Sequence, residues 1–269
     1  MTDASAGSYA FGQFDEKQKE LERLKRQAGA ARQLERHILT RSGLASGMDV
    51  LDLACGPGVV SCELARIAAP GMVTGIDLNP ELLEQAEMLA AEEKVENLSF
   101  REGNVYDLDS PDNSYDFVYA RFLFQHLEHK TKALDEIKRV LKPGGILTIA
   151  DVDDGLLTLY PEPEQFQSFI DRAARNQASY GGDRFIGRKL GALMTDAGYE
   201  QVEVNVDTVT SAQLGMKGFL DITTGYKLGQ LQEEDKEIGS MERENIYQLL
   251  DHPNAWGFTS VFVAVGKKT

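Results

Sequence analysis

The sequence has little cysteine, no excess of basic charge and no long apolar run, and each shortage removes a class of protein. Only Cys55 and Cys62 occur among its 269 residues. They cannot form a disulfide framework, and with four scattered histidines (His37, His126, His129 and His252) they cannot build a tetrahedral zinc site. No acid cluster stands at metal-ligand spacing either, so no metal is expected. So little cysteine suits a reducing compartment, and the cytoplasm is the expected location. Residues 1–13 carry neither a basic stretch nor an apolar core, so no signal peptide is expected. No apolar run approaches the roughly 20 residues needed to span a bilayer. Lys and Arg (28) against Asp and Glu (43) leave a net charge of −15. A field of that sign repels phosphates, which argues against nucleic acid and anionic lipid as partners. Repeats and low-complexity tracts are missing too, and an apolar fraction of 42% is that of a globular chain.

What is present is an alternation of strand and helix patterns. Residues 15–39 come first, with Leu21, Leu24, Ala28, Ala31, Leu34 and Ile38 on one stripe of an amphipathic helix. From Met48 onward short apolar runs alternate with helical stretches. Val50-Leu51-Asp52-Leu53 reads as a first strand, 59–69 as a helix and 72–77 as a second strand. Asn79 then caps a helix that has Pro80 at its first position. Leu98-Ser99-Phe100 and Phe117-Val118-Tyr119-Ala120 read as strands three and four. A helix over 132–141 stops at Pro143-Gly144-Gly145, and 146–150 is strand five. This order implies right-handed crossovers and a mostly parallel, doubly wound α/β sheet. Residues 161–199 are helix-rich, and 202–206 and 260–265 read as two further strands. The 211–254 stretch between those strands is polar, helical in pattern and too long for an ordinary loop, so it is expected to cap the site. The division expected is an N-terminal lid and helix over 1–45, followed by one domain over 46–269.

In an open parallel sheet the ligand sits at the carboxyl ends of the strands, where strand order reverses. The first strand runs into Cys55-Gly56-Pro57-Gly58. Gly56 and Gly58 permit a tight turn and close backbone approach, and the next helix offers its N-terminal N–H groups. Asp77 ends the second strand, where a carboxylate can accept both hydroxyls of a ribose. An adenosine-like group is therefore expected, and two cofactor classes fit. A dinucleotide loop would want glycine where Ser61 stands, and it seldom has an acid at the position of Asp52.

These residues resemble the class I S-adenosylmethionine-dependent methyltransferases, closely over 48–150 and loosely to the C-terminus. Val50 through Gly58 matches the family's first motif, with Ala54 in place of its commonest first glycine. The resemblance implies a Rossmann-like methyltransferase fold with a seven-stranded, mostly parallel sheet, order 3-2-1-4-5-7-6, and helical cap elements. It implies S-adenosyl-L-methionine as cofactor and S-adenosyl-L-homocysteine as product. Backbone at Ala54 and Gly56 would hold the methionyl part, Asp77 the ribose, and Leu78 would lie under the adenine. Gly103-Asn104-Val105 matches the third motif, in which Asn104 would accept from the adenine amino group. Tyr115 to Arg121 matches the fourth, where backbone at Ala120 and Arg121 would face the methionyl amine. Arg23-Leu24-Lys25-Arg26-Gln27 looks like a lid segment, with Gln27 and then Tyr9 as candidates for the cofactor carboxylate.

The expected reaction is methyl transfer to oxygen, nitrogen or carbon of a small-molecule metabolite. The alternatives are an RNA or protein acceptor, a non-enzymatic S-adenosylmethionine-binding module, and an NAD-dependent reductase. A sulfonium is already an activated electrophile, so alignment is the main requirement, and a base is needed only for a protonated acceptor. His126 is the candidate catalytic base, set against a packing role. Asp151 and Asp153 follow strand five and could accept from a substrate or cap a turn. Tyr160, Arg184 and Tyr226 could line the cap side, with Arg184 either binding a substrate carboxylate or paired to a nearby acid. Cys55 is expected to pack rather than react, because no histidine lies near it in sequence.

Overall fold

The computed structural model describes Leu21 and residues 32–269. Leu21 is helical and buried, and α1 (Arg32–Arg41) continues the first amphipathic pattern. Five parallel strands follow: β1 (Val50–Leu53), β2 (Val73–Asp77), β3 (Leu98–Glu102), β4 (Tyr115–Arg121) and β5 (Leu141–Val152). The helices between them are α2 (Val59–Ala68), α3 (Pro80–Glu92) and α4 (Lys130–Val140). Asn79 caps α3 as its sequence suggests, its Oδ1 accepting from Glu81 N at 2.8 Å and Leu82 N at 3.2 Å. Such a cap contributes about 1 kcal/mol.

β1 lies between β2 and β4, with Leu53 opposite both Ile76 and Ala120. A strand flanked on both edges and covered on both faces must be apolar throughout, which is why all four β1 residues are buried. Along β4 the side chains alternate between two cores. Val118 and Ala120 join Ile137, Val140 and Met194 on one face. Phe117 and Tyr119 join Ile38, Leu64 and Ala65 on the other. The sheet is therefore doubly wound.

The chain then forms β6 (Thr158–Tyr160), α5 (Phe166–Ser179), α6 (Leu190–Asp196), β7 (Glu200–Thr210) and β8 (Trp256–Lys267). β8 runs antiparallel to β5 on one edge and to β7 on the other. The main order, β3-β2-β1-β4-β5-β8-β7, is the expected seven-stranded one in chain-order labels. One strand more is present than expected: β6 pairs with Trp256, Gly257 and Phe258, taking up the edge of β8 that β5 leaves. β5 also starts earlier than expected. Tyr115 pairs with Leu141 and Phe117 with Ile146, so Pro143-Gly144-Gly145 is a bulge inside the strand rather than a turn before it.

Between β7 and β8 lie α7 (Ser211–Leu220), a π-helical turn (Asp221–Gly225), α8 (Lys227–Gln230) and α9 (Glu233–Tyr247). Gly215, at φ 71, kinks α7. These helices have a core of their own, in which Phe219, Leu220 and Ile246 pack on Phe166, Phe169 and Leu159. They sit at the carboxyl end of β5, where the site is built.

Candidate functional site

The sheet order reverses between β1 and β4, and a cavity of about 770 Å³ opens at the carboxyl ends of the strands there. Its first wall is the loop after β1. Ala54, Gly56 and Gly58 all take left-handed backbone angles, φ 55, 54 and 77. A Cβ on Gly56 would meet nothing within 4 Å and would project into the cavity. A Cβ on Gly58 would sit 2.8 Å from that of Ala86, so glycine there lets α2 begin against α3.

Asp77 clasps this loop. Its Oδ2 accepts from Gly56 N and its Oδ1 from Asn79 N, each at 2.9 Å. Burial raises its pKa above the ordinary carboxylate value, against the pull of those two N–H groups. Each carboxylate oxygen keeps acceptor capacity toward a ligand in the cavity. Leu78 follows with 44% of its surface exposed, an apolar side chain on the cavity wall. Val105 completes this side. The rim thus fits a ribose, an apolar base and a close backbone approach.

Beneath the loop, Asp52 is buried and accepts from Ser61 Oγ at 2.6 Å. Burial, foremost, lifts its pKa to about 7. Cys55 is buried, and the same effect, reinforced by Asp52 and Asp77, holds its thiol well above the usual range. It is a packed thiol.

Sequence reasoning missed Glu35. From α1 its Oε1 accepts from Tyr119 OH, and its Oε2 meets Arg121 Nε at 2.8 Å. The acid thereby fixes α1 over the carboxyl end of β4, with the Arg121 guanidinium 4.1 Å from the centre of the Phe122 ring. A signal existed, since Glu35 lies beside Leu34 and one turn before Leu39 on the buried helical face.

The far wall comes from β5 and the 211–254 helices. Asp154, on the turn after β5, accepts from Arg184 Nε and Nη2 at 2.8 Å each. Lys227, at the start of α8, places Nζ 3.0 Å from the same carboxylate. Arg184 Nη1 donates to Gln125 Oε1. The two cations hold the Asp154 pKa down at about 2 despite its burial. Arg184 therefore has the acid partner that the sequence left open.

The other sequence candidates separate by position. His126 lines the cavity, its Nδ1 3.4 Å from Gln177 Nε2, and Tyr226 lines the cap wall. Asp151 and Asp153 do not line it. Asp151 is buried and accepts from the N–H groups of Gln125 and Val152, and burial lifts its pKa to about 7. Asp153 is paired to Arg188 through both oxygens, at 2.5 and 2.7 Å. Tyr160 is exposed on β6, away from the cavity lining. Ala120 is fully buried behind the wall. Asn104 stands off the wall, its Oδ1 accepting from Tyr106 N at 2.9 Å, while its neighbours Gly103 and Val105 line it. Gln27 and Tyr9 lie outside the described residues. Among the described residues, no helix is long and apolar enough to cross a membrane.

A glycine loop clasped by the β2 carboxylate, at the reversal point of a sheet whose last two strands form an antiparallel pair, defines the Rossmann-like methyltransferase class. Residues 44–207 match the family model described as a methyltransferase domain, and the chain belongs to that family of class I S-adenosylmethionine-dependent methyltransferases. An uncharacterised methyltransferase of Schizosaccharomyces pombe is 33% identical over 156 residues, 56% of each chain. A demethylmenaquinone methyltransferase of Lactiplantibacillus plantarum is 30% identical over 195 residues, 65% of this chain and 79% of that one. The chain spans about half the length of the first curated relatives it matches, 56% and 48%. Among solved structures, the YcgJ protein of Bacillus subtilis superposes with a TM-score of 0.63 at 17% identity, covering 88% of this chain and 99% of its own. That likeness concerns the fold.

Proposed function

We propose that the protein transfers the methyl group of S-adenosylmethionine to an oxygen, nitrogen or carbon atom of a small molecule held beneath the 211–254 helices, in the cytoplasm. One observation carries this reading: a single cavity of about 770 Å³ is lined both by the β1 loop with Asp77 and by the cap helices. That volume is in the range of small-molecule sites, about 300–1,000 Å³. The demethylmenaquinone methyltransferase among the relatives is named for a small acceptor, which supports the same class.

When bound, S-adenosylmethionine supplies a methyl group already activated on sulfur for in-line displacement. Asp77 is assigned to the ribose hydroxyls, Leu78 to the adenine face, and the backbone of Ala54, Gly56 and Arg121 to the methionyl end. Val105 packs at the base. Asn104 and Ala120 act from behind the wall by shaping it, and Gln27 is assigned to the lid. The protein's main contribution is alignment in an enclosed space, which lowers a barrier by up to about 7–11 kcal/mol. His126 is assigned the proton of a protonated acceptor. Such a base adds roughly 100- to 10,000-fold where the acceptor needs it.

The test is incubation with methyl-labelled S-adenosylmethionine and the low-molecular-weight fraction, RNA and protein of a cell extract, each offered separately. Label is expected in the small-molecule fraction and absent when Gly56 is replaced by Val. Label confined to RNA or protein, or no label at all, contradicts the proposal.

A further inference from the structure

The cavity is charged unevenly along its length. At the β1–β2 end it is lined by Asp52, on β1, and Asp77, on β2. At the β5 end it is lined by Asp154, Arg184 and Lys227, two cationic side chains against one carboxylate. β2 and β5 are three strand steps apart, about 14 Å, so the two ends are distinct places for a ligand.

The cationic end is buried to an unusual degree. Arg184 is 4% exposed and Lys227 only 1%. Excess charge of one sign is costly in such surroundings unless a counter-charge meets it. Both cations also lie against the ring of Tyr226, at 5.6 and 4.9 Å from its centre, a contact that stabilises positive charge. The acids nearby leave part of the excess unneutralised. Asp153 is engaged by Arg188, and Asp151, which interacts electrostatically with Arg184, lies off the cavity lining with its pKa raised by burial to about 7.

The two cations are not equivalent. Arg184 gives one N–H each from Nε and Nη2 to Asp154 and one from Nη1 to Gln125, three of its five, and these partners fix its plane. Lys227 meets Asp154 and, at 3.3 Å, Tyr226 OH, and an ammonium has three N–H donors. Asp154 therefore holds both cations, and both line the cavity. The neighbouring lining is mixed, with Leu123, Val152, Leu214 and Ile222 beside Thr223 and Gln230.

We propose that Lys227 and Arg184, held together by Asp154, form a subsite for an oxyanion of the methyl acceptor. The acceptor class is then a small, partly apolar molecule that ends in a carboxylate or a phosphate. This deepens the methyltransferase reading and rests on it. An anionic group at Lys227 brings the cluster to two positive and two negative charges, and it orients the acceptor with its anion at the β5 end.

The experiment sorts the methyl-labelled small-molecule product by charge on an anion exchanger at neutral pH. The label is expected in the retained fraction. Phosphatase treatment then separates the two sources, since release from the resin marks a phosphate and continued retention a carboxylate. Labelled product that passes through unretained overturns the subsite while leaving methyl transfer intact. No labelled product at all overturns the underlying reading instead. Lys227→Gln is expected to raise the acceptor KM about tenfold or more with kcat little changed. Its affinity for S-adenosylhomocysteine should equal that of the wild type, which also reports correct folding. An unchanged KM in a folded variant contradicts the proposal, and if the variant does not fold the wild-type partition alone decides.

Discussion

Arg184 and Asp154 meet through two parallel hydrogen bonds of 2.8 Å, with both side chains 4% exposed, at the wall of a ligand-sized cavity. A pair this deeply buried is costly to form and more costly to break on one side. Lys227 shares the same carboxylate, which makes the two ways of breaking it unequal.

Asp154→Asn leaves two buried cations without their carboxylate and is expected to cost about 3–5 kcal/mol. Arg184→Met leaves Asp154 paired with Lys227 and should cost less. Urea denaturation of the two variants measures the order. Equal losses, or a larger one for Arg184→Met, would show that Lys227 does not serve the same acid.

The raised pKa of Asp52, about 7, makes a prediction with a definite sign. Its unfolded value is about 3.9, so the folded state holds this proton more tightly than the unfolded state. Stability from this source is fully present below about pH 4 and is lost as pH rises through about 7. Relative to Asp52→Asn, the wild type should therefore lose stability between pH 4.5 and 7.5. A stability difference that is flat across that window would place an ionised Asp52 in the folded protein throughout.

Glu35 joins α1 to β4 through Tyr119 and Arg121. Glu35→Ala strands a buried hydroxyl and a largely buried guanidinium, at about 1–3 kcal/mol for each unmet group. Faster proteolysis within α1 is expected along with the lower stability. Glu35→Gln, which keeps an oxygen to accept from Tyr119, should suffer less. Unchanged cleavage in Glu35→Ala would mean that α1 is held by its apolar face alone.

The β1 loop offers a matched pair of substitutions. Gly56→Val places a branched side chain at φ 54, which costs about 1–2 kcal/mol, and projects it into the cavity. It should abolish the thermal stabilisation by S-adenosylhomocysteine, about 2.7 kcal/mol at 100 times Kd in the wild type. Ala54→Gly relieves the left-handed strain at φ 55 and should retain the shift with equal or slightly higher stability. A retained shift in Gly56→Val would move the ligand away from this loop.

What could be read from the sequence was what neighbouring residues decide. The β1 loop, Asp77 and the Asn79 cap are runs of a few residues whose chemistry is local. β1 and β2 then pair in register, Leu53 against Ile76, and bring Gly56 to Asp77 without further information. The cap cluster had no such signal, because Asp154, Arg184 and Lys227 belong to three elements far apart in the chain. Asp151 and Asp153 were the visible acids after strand five, yet the strand's alternation ends at Val152. The tight turn Asp154–Leu156 follows, and it is Asp154 that reaches the cavity. Likewise β6, at three residues, is too short to show a period of two. Pro143-Gly144-Gly145 has turn composition, and only pairing with β4 makes it a bulge.

Whether the β1 loop and Asp77 hold the cofactor is measured by calorimetric titration of S-adenosylhomocysteine into the wild type and into Asp77→Ala. Saturable binding at one site per chain is expected, weakened about tenfold or more when the carboxylate is removed. No heat of binding at millimolar ligand, or equal affinity in the two proteins, would contradict it.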